Sequence, residues 1–366
     1  MSSDTELDGL ACDRCVARAW LLARLGGHLE HARGQIDAAL ALDNEELIAA
    51  VGGPYREAVA RELGCLDAGE LRGHAAAARI DSICRCQASY PARLRALSSP
   101  PAVLYVAGGL GRFLDLAGED LVAIVGARKA SPYGLEVACS LGSGLGRAGV
   151  TVISGMALGI DSAAHSGALS AGAPTIAVLP GSADRPYPAG KRALHRQIVS
   201  TGAAISELPP GASVWRWTFA ARNRILAALA ASTVVVQAGN RSGSLLTAGF
   251  ARSLGRPVGA VPGPITSPQS VGPNALLAKG AYVVRGAQDV LDQLFGAGVR
   301  PVVADRRPEV SLEAQALLQA IVDAGDTTSA IAAADLSAGE GLVALASLEL
   351  AGHLRRGPGG SYTVIP

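Results

Sequence analysis

Short apolar runs, each followed at once by glycine, small polar or basic residues, constrain this chain more than any other feature. The first run ends in front of Gly126 and Arg128, and the second ends in front of Ser154 and Gly155. Helical patterns rich in alanine and leucine separate these runs. Apolar runs without polar alternation are typical of strands buried on both faces. The pattern predicts an α/β fold with a doubly wound, mostly parallel sheet. We expect its strands at about 121–125, 151–154, 175–179, 203–206, 233–237, 257–261 and 281–284.

The residues at the strand ends form a candidate ligand site, because open α/β sheets bind ligands beyond the carboxyl ends of their strands. Glycine there lets the backbone approach a ligand, and a following helix offers free N–H donors. Arginine or lysine beside such donors indicates an anion, most simply phosphate. Cations at several strand ends predict a groove for several phosphates. The candidate residues are Gly126, Arg128, Ser154, Gly155, Asp161, Lys191, Arg192, Phe219, Arg222, Asn223, Arg224, Ser242, Gly243 and Ser244.

Some of these residues have a second interpretation. Arg128 could be a structural ion-pair partner. Asp161 and His165 lie four residues apart, so the pair is either a helix cap with a histidine tied to it or an acid/base pair. No serine or cysteine lies in an obvious nucleophile elbow that would complete a catalytic triad. Aromatic residues are few, 4% of the chain. Stacking should therefore be confined to one or two bases, with Phe219, Tyr187 and one of the nearby tryptophans as candidates.

Composition narrows the class of protein. The chain has 366 residues, of which 49% are hydrophobic and 17% charged, as expected of a globular protein. Its net charge is only +1, so a nucleic-acid site must be a local patch. No apolar run approaches the roughly 20 residues of a membrane span, and residues 1–6 are polar and acidic. We expect a cytoplasmic protein without membrane association.

Four of the six cysteines have suggestive spacing. Cys12 and Cys15 form a CxxC pair, and Cys84 and Cys86 form a CxC pair. Two close pairs could supply four thiolates to a structural zinc ion. The second pair is CxC and the separation between the pairs is long, so plain reduced thiols are the alternative. Apart from this zinc, we expect no cofactor.

The chain should divide into four segments. Residues 1–100 form a helical domain, resembling a helix–hairpin–helix or a plain helical adapter, and a linker. Residues 101–298 form a Rossmann-like domain, 299–310 a linker, and 311–366 a winged-helix-like domain of three helices and a Gly-rich hairpin. The third of these helices carries Glu340 and Glu349 and no lysine or arginine, and the hairpin carries Arg355 and Arg356. This charge pattern favours protein docking over DNA reading.

The strand-end motifs together resemble the DprA/Smf family, the DNA processing protein A family, over about residues 90–295. The resemblance departs from the family pattern at three positions, where Gln237 replaces a usual Glu, Lys191 a usual Asn and Ala220 a usual proline. The residues that carry it are Ile124-Val125-Gly126-Ala127-Arg128, Tyr133-Gly134, Ser154-Gly155-Met156-Ala157-Leu158-Gly159-Ile160-Asp161, Ala164-His165, Tyr187-Pro188, Ser206-Glu207, Arg222-Asn223-Arg224-Ile225, Ser242-Gly243-Ser244, Thr247-Ala248 and Val261-Pro262-Gly263.

The resemblance implies a dimeric, non-catalytic protein that binds single-stranded DNA and loads the recombinase RecA onto it. The family acts in natural transformation and recombination, where it relieves the block imposed by single-strand-binding protein. An alternative is a nucleotide phosphoribohydrolase of the lysine-decarboxylase-like Rossmann group, although its PGG-x-GT signature is absent here. A transcription regulator that uses the winged helix is disfavoured by the acidic third helix.

Overall fold

A nine-stranded sheet dominates the described residues of this computed structural model, which are 10–302, 310–324, 327–357, 360 and 362–364. The predicted features at residues 1–6, at 303–309 of the linker, and at Pro358, Gly359 and Ile365 lie outside them. The strands are β1 Asp81–Cys84, β2 Val103–Ala107, β3 Val122–Val125, β4 Val152–Ser154, β5 Thr175–Val178, β6 Ala203–Ser206, β7 Ser232–Val235, β8 Val258–Ala260 and β9 Tyr282–Val283.

The strand order is β1-β2-β6-β5-β4-β3-β7-β8-β9. From β6 to β9 all neighbours are parallel, whereas β1 and β2 run antiparallel to each other and β2 runs antiparallel to β6. The predicted mixed α/β fold with a mostly parallel sheet is therefore confirmed. Strand β1 was not predicted, because only two of its four residues, Ile83 and Cys84, are buried.

Helices separate the strands and precede them. Helix α8 begins at the N-cap Ser131, whose side chain accepts a hydrogen bond from the Gly134 N–H. Short 3-10 helices occur at Arg33–Gln35, Gly53–Tyr55, Ala92–Ala96 and Ala189–Lys191. The α-helices are α1 Asp13–Arg24, α2 Gly26–Leu29, α3 Ile36–Ala41, α4 Asn44–Val51, α5 Arg56–Gly64, α6 Ala68–Ala77, α7 Leu110–Gly118, α8 Pro132–Arg147, α9 Ile160–Ser170, α10 Arg192–Thr201, α11 Arg216–Leu229, α12 Gly243–Ser253, α13 Val271–Ala278 and α14 Ala287–Phe295.

Both faces of the sheet are covered, as the uninterrupted apolar runs predict. In β3, Ala123 and Val125 belong to one hydrophobic cluster, and Val122 and Ile124 belong to another. Successive side chains of a strand point to opposite faces, so the two clusters lie on the two sides of the sheet. All four residues are at most 4% exposed.

The N-terminal helices pack on α11, the helix that also carries several candidate site residues. The Trp217 indole N–H donates to the Gly26 carbonyl oxygen at 2.9 Å, and Trp217 shares a buried cluster with Leu25 and Leu47. Asp43 begins α4 with a capping box, in which its side chain accepts from the Glu46 N–H at 2.8 Å. Such a cap stabilises a helix by about 1 kcal/mol.

The connection pattern places a crevice at the ends of two central strands. From β3 the chain moves outward through β4, β5 and β6, and it then returns to β7 on the other side of β3. Where the order reverses in this way, the loops after the two neighbouring strands leave in opposite directions and open a binding crevice. The crevice expected here lies beyond the carboxyl ends of β3 and β7.

Contacts divide the chain into two compact units, Met1–Val302 and Val303–Pro366. The second unit has three helices, α15 Leu312–Ala324, α16 Thr327–Ala333 and α17 Ala338–Leu350, and an antiparallel pair, β10 Leu354–Arg356 and β11 Tyr362–Val364. The assignment of this unit as a winged helix, like the predicted domain boundaries, stays a prediction.

The apolar face of the second unit is buried within that unit. Leu317, Leu345 and Leu348 pack together with Leu354 of β10, and all four are at most 2% exposed. Ser337 and Glu340 form a capping box at the start of α17, so one of the two acidic residues in the third helix is used as a cap.

Within the described part of the chain, no single helix is both long and apolar enough to cross a membrane. One bent pair, Thr327–Ala333 with Ala338–Leu350, passes that test by length and composition alone.

Candidate nucleic-acid interface

A cavity of about 310 Å³ occupies the predicted crevice. It is bounded by the loop after β3, the start of α9, one face of α11 and the start of α12. The structure therefore brings together most of the candidate residues from four separate segments of the chain. The cavity is lined by Val125, Gly126, Arg128, Ala157, Asp161, Phe219, Arg222, Asn223, Ser242, Gly243, Ser244 and Thr247.

One wall of the cavity combines a cation with aromatic rings. The Arg128 guanidinium carbon lies 4.6 Å from the centroid of the Phe219 ring. The Tyr187 ring packs edge-on against Phe219, with 5.4 Å between the ring centroids. Arg128 is exposed and Phe219 half-buried, so this wall presents a positive charge and an aromatic ring at the cavity. It is the combination that binds a phosphate beside an unstacked base.

The floor of the cavity holds a buried ion pair with a long separation. Arg222 Nη1 donates to the Val178 carbonyl oxygen at 3.2 Å and lies 3.9 Å from Asp161 Oδ2. Both side chains are 7% exposed. In the described part of the chain, Arg222 Nε has no hydrogen-bond partner. Arg222 thus keeps donor capacity that its protein partners leave unused.

The electrostatics of this pair favour a further anion. Burial raises the pKa of Asp161, and the Arg222 charge offsets this only in part. The pKa of Arg222 is lowered, chiefly by burial. The Asp161 charge opposes this shift, and repulsion by Arg128 adds to it. The buried Arg222 cation, which shares one carboxylate and is repelled by the nearby Arg128 charge, is stabilised by an entering anion.

The start of α12 adds backbone donors to the cavity. Ser242 is the N-cap and accepts from the Ser244 N–H at 3.4 Å, while the Asn223 amide donates to the Gly243 carbonyl oxygen at 3.1 Å. The first turn of this 11-residue helix is uncharged. A helix N-terminus attracts anions through its free N–H groups and its dipole.

The glycines of the site differ in what they do. At Gly243 an added Cβ would meet no atom within 4 Å, so the backbone there is open to a ligand. At Gly155 a Cβ would overlap the Arg222 guanidinium, and at Gly126 it would lie 2.5 Å from Ile160. The prediction that glycine admits a ligand therefore suits Gly243, whereas Gly126 and Gly155 are required by packing within the protein.

Arg224 does not line the cavity. Its guanidinium is buried, pairs with Glu207 and donates to the Ser99 carbonyl oxygen at 2.7 Å. Ser154 is also removed from the cavity, because its buried hydroxyl donates to the Ile124 carbonyl oxygen at 2.6 Å. The grouping of these two side chains with the ligand-facing residues is corrected: both hold the protein together around the site.

Lys191 and Arg192 do not line the cavity, although they follow Tyr187, whose ring packs on the cavity residue Phe219, within five residues of the chain. Lys191 ends the 3-10 helix Ala189–Lys191, which follows Tyr187, and Arg192 begins α10. Lys191 is half-buried and Arg192 is exposed. A role for this pair in extending the site stays a prediction.

Asp161 and His165 are not bonded to each other. The residue that caps α9 is Gly159, and Asp161 accepts from the Ala157 N–H at 3.4 Å. The His165 Nδ1 pairs instead with the Thr175 hydroxyl at 2.8 Å. Burial and, secondarily, the Arg222 charge lower the pKa of His165 to about 3. Both interpretations of the pair are therefore wrong, and His165 is a neutral core residue.

Gln237 has a clear structural use. Its amide nitrogen donates to the Ser131 hydroxyl at 2.8 Å, and its amide oxygen accepts from the Ser131 N–H at 3.0 Å. The Gln237 amide thus makes one donated and one accepted bond to the same serine, which is the N-cap of α8. Thr247, which belongs to a family motif but not to the predicted site residues, also lines the cavity. It lies three residues after Ser244 and thus on the same face of α12.

The cysteine pairs form a second cluster on α1 and at the end of β1, elements that contribute no residue to the cavity lining. All four sulfur atoms lie within 4.8 Å of one another.

Comparison with known proteins places these features in a family. The family model described as DNA recombination-mediator protein A matches residues 81–295, more than half of the chain. The DNA processing protein DprA of Mycobacterium tuberculosis is 45% identical over 219 residues, which are 58% of this chain and 56% of that protein. This chain therefore matches about half the length of that relative. Protein Smf of Escherichia coli is 34% identical over 280 residues, 74% of each chain.

Solved structures agree with the sequence matches. DNA processing protein A of Streptococcus pneumoniae has a TM-score of 0.63 at 29% identity, and the match covers 78% of this chain and 99% of that one. The Helicobacter pylori protein, solved for its single-stranded DNA binding mode, has a TM-score of 0.53 at 29% identity and covers 59% and 95%. The family is described by a role in DNA recombination rather than by a catalysed reaction. The chain belongs to the DNA recombination-mediator protein A family, which the strand-end motifs predicted.

Proposed function

We propose that this protein binds single-stranded DNA in the cavity at the ends of β3 and β7 and loads RecA onto that strand. The observation that carries the proposal is the wall formed by Arg128 over Phe219, which lines the same cavity as the start of α12. A cation and a helix N-terminus bind phosphate, and the ring binds a base. The family match and the single-stranded DNA binding of the Helicobacter pylori relative support it.

The form of the site favours a single strand over a duplex. A base can stack on Phe219 or Tyr187 only after it has left its own stack, which a duplex resists. A net charge of +1 gives the protein little general attraction to duplex phosphates. The cation pair Lys191 and Arg192 would continue the phosphate track from Tyr187 outward.

The wider role extends this binding activity. We propose that the protein works as a homodimer in the cytoplasm, relieves the block imposed by single-strand-binding protein, and serves DNA uptake in natural transformation as well as recombination. The second unit, Val303–Pro366, would then be a winged-helix-like module used for protein contacts rather than for base reading, since its third helix is acidic.

The test is a fluorescence-anisotropy titration of the full chain with a single-stranded oligonucleotide and with the duplex of the same length, at two salt concentrations. We expect tighter binding of the single strand and an affinity that falls with salt by about 0.7 in log–log slope per phosphate contact. Equal affinity for the duplex would contradict the proposal.

Two further experiments distinguish DNA binding from RecA loading and from catalysis. RecA ATP hydrolysis on oligonucleotide coated with single-strand-binding protein should start sooner when the protein is present, and an unchanged lag would refute loading alone. Incubation with AMP should release no adenine, whereas release would favour the phosphoribohydrolase alternative.

A further inference from the structure

Four cysteines from two distant segments meet beside the N-terminal helices. Cys12 is the N-cap residue of α1 and Cys15 lies in its first turn, while Cys84 ends β1 and Cys86 follows two residues later. The Sγ atoms of Cys15 and Cys86 are 3.6 Å apart, and all four Sγ atoms lie within 4.8 Å of one another. Cys15 and Cys84 are buried, and Cys86 is exposed.

These distances suit a metal ion better than a disulfide. Zinc holds four thiolates in a tetrahedron at about 2.3 Å, which puts the sulfurs about 3.8 Å apart. The cluster spans that spacing and needs only small side-chain adjustments to reach it. A disulfide needs about 2.05 Å between sulfurs and would join only two of the four. A soft metal cation bound among the four sulfur atoms would explain why they lie so close together.

The surroundings of the cluster fit thiolates. The Cys12 N–H points at the Cys84 Sγ at 3.5 Å, and the Arg14 guanidinium donates to the Cys86 Sγ at 3.7 Å. Four thiolates around Zn²⁺ carry a net charge of −2, which the Arg14 cation offsets in part. Donors to the ligand atoms are the usual second layer of a metal site.

The position of the cluster indicates what an ion would do there. Strand β1 lies at one edge of the sheet and, among the described strands, pairs only with β2. Helix α1 packs through Cys15 and Val16 into the same buried cluster as Tyr105 of β2. A four-thiolate site leaves no coordination position for water or substrate, so its role is structural. We propose that Cys12, Cys15, Cys84 and Cys86 bind one zinc ion that fixes α1 to the edge of the sheet.

The experiment measures metal and stability in the untagged full-length chain, expressed with added zinc and purified without chelator. We expect elemental analysis to find about one zinc per chain. The Cys12→Ser/Cys86→Ser variant should lose the zinc and unfold at a lower temperature. Cys65→Ser is the matched control, because Cys65 is exposed at the end of α5 and outside the cluster, and it should keep both zinc and stability.

Cobalt substitution gives a readout that does not depend on a variant's folding. Co²⁺ exchanged into the wild-type chain should show the visible absorption of a tetrahedral tetrathiolate site. A folded wild-type chain with neither zinc nor a cobalt spectrum would overturn the proposal. A Cys15–Cys86 disulfide in the protein as isolated would overturn it as well, and so would zinc retained by the double variant.

Discussion

Replacing Arg128 with alanine removes the exposed cation of the cavity while leaving the rest of the wall in place. The guanidinium stacks on Phe219 at 4.6 Å and lies at the surface. An exposed cation–π contact contributes about 0.5–1 kcal/mol, so the loss of folding stability should be no larger than that. The substitution therefore separates binding from folding.

The effect on DNA binding should be larger. A hydrogen bond to a charged group contributes about 1.5–3 kcal/mol, which corresponds to a roughly 10- to 150-fold weaker Kd. One lost phosphate contact should also flatten the salt dependence by about 0.7 in log–log slope on a single strand. Both quantities come from one anisotropy series at several salt concentrations.

Lys129→Ala is the matched control for this variant. Lys129 is the next residue, is also exposed and carries the same charge, but it does not line the cavity. Its backbone carbonyl, which accepts from the Gln269 amide at 2.9 Å, is unaffected by the substitution. We expect Lys129→Ala to bind DNA nearly as well as the wild type. If the two variants lose affinity equally, Arg128 acts only as general charge and the site assignment is refuted.

Three further predictions test other parts of the account. Lys191→Glu/Arg192→Glu should weaken single-stranded DNA binding strongly and flatten its salt dependence. The control, Arg252→Glu/Lys279→Glu, makes the same charge change at exposed positions near the C-terminal ends of α12 and α13 and should have little effect on binding. Equal effects of the two double variants would remove Lys191 and Arg192 from the site. The low pKa of His165, about 3 against the ordinary 6.5, means that the unfolded chain binds a proton that the folded chain excludes. Stability should therefore fall as the pH drops below about 6.5, with a slope of up to about 1.4 kcal/mol per pH unit. Urea unfolding of His165→Asn should show a shallower slope, and an unchanged slope would mean that His165 is protonated in the fold. A chain ending at Val302 should keep most single-stranded DNA binding, because the Val302 N–H still donates to the Gln288 side-chain oxygen at 2.9 Å and completes the first unit; a large loss in a stable fragment would make the second unit a DNA reader.

The strands from β3 to β8 could be predicted because they are mostly apolar, and every residue in them is buried, as expected of strands covered on both faces. Strand β1 could not be predicted, because Asp81 and Ser82 are polar and the segment forms a strand by pairing with β2. A local sequence pattern carries no information on such a distant partner.

The location of the candidate site was easier to predict than the side chains that face a ligand there. Phe219, Arg222 and Asn223 are spaced three and four residues apart, so they share one face of α11. Arg224 follows Arg222 by two residues, about 200° around the helix, and therefore points away. Helical periodicity alone could have separated Arg224 from the ligand-facing residues. The use of Gly155 depends on the Arg222 guanidinium, which reaches it from a different helix, and sequence order does not reveal that contact.

Photo-crosslinking tests the central claim, that single-stranded DNA occupies the cavity beyond β3 and β7, most directly. A single-stranded oligonucleotide that carries 5-bromodeoxyuridine is irradiated on the full chain, and the crosslinked peptides are identified by mass spectrometry. The account predicts crosslinks at Phe219, the ring beneath Arg128, or at Tyr187, the ring packed against Phe219. These crosslinks should be lost when both residues are replaced by leucine. Crosslinks found only in peptides from 310–364, with the cavity peptides unmodified, would contradict it.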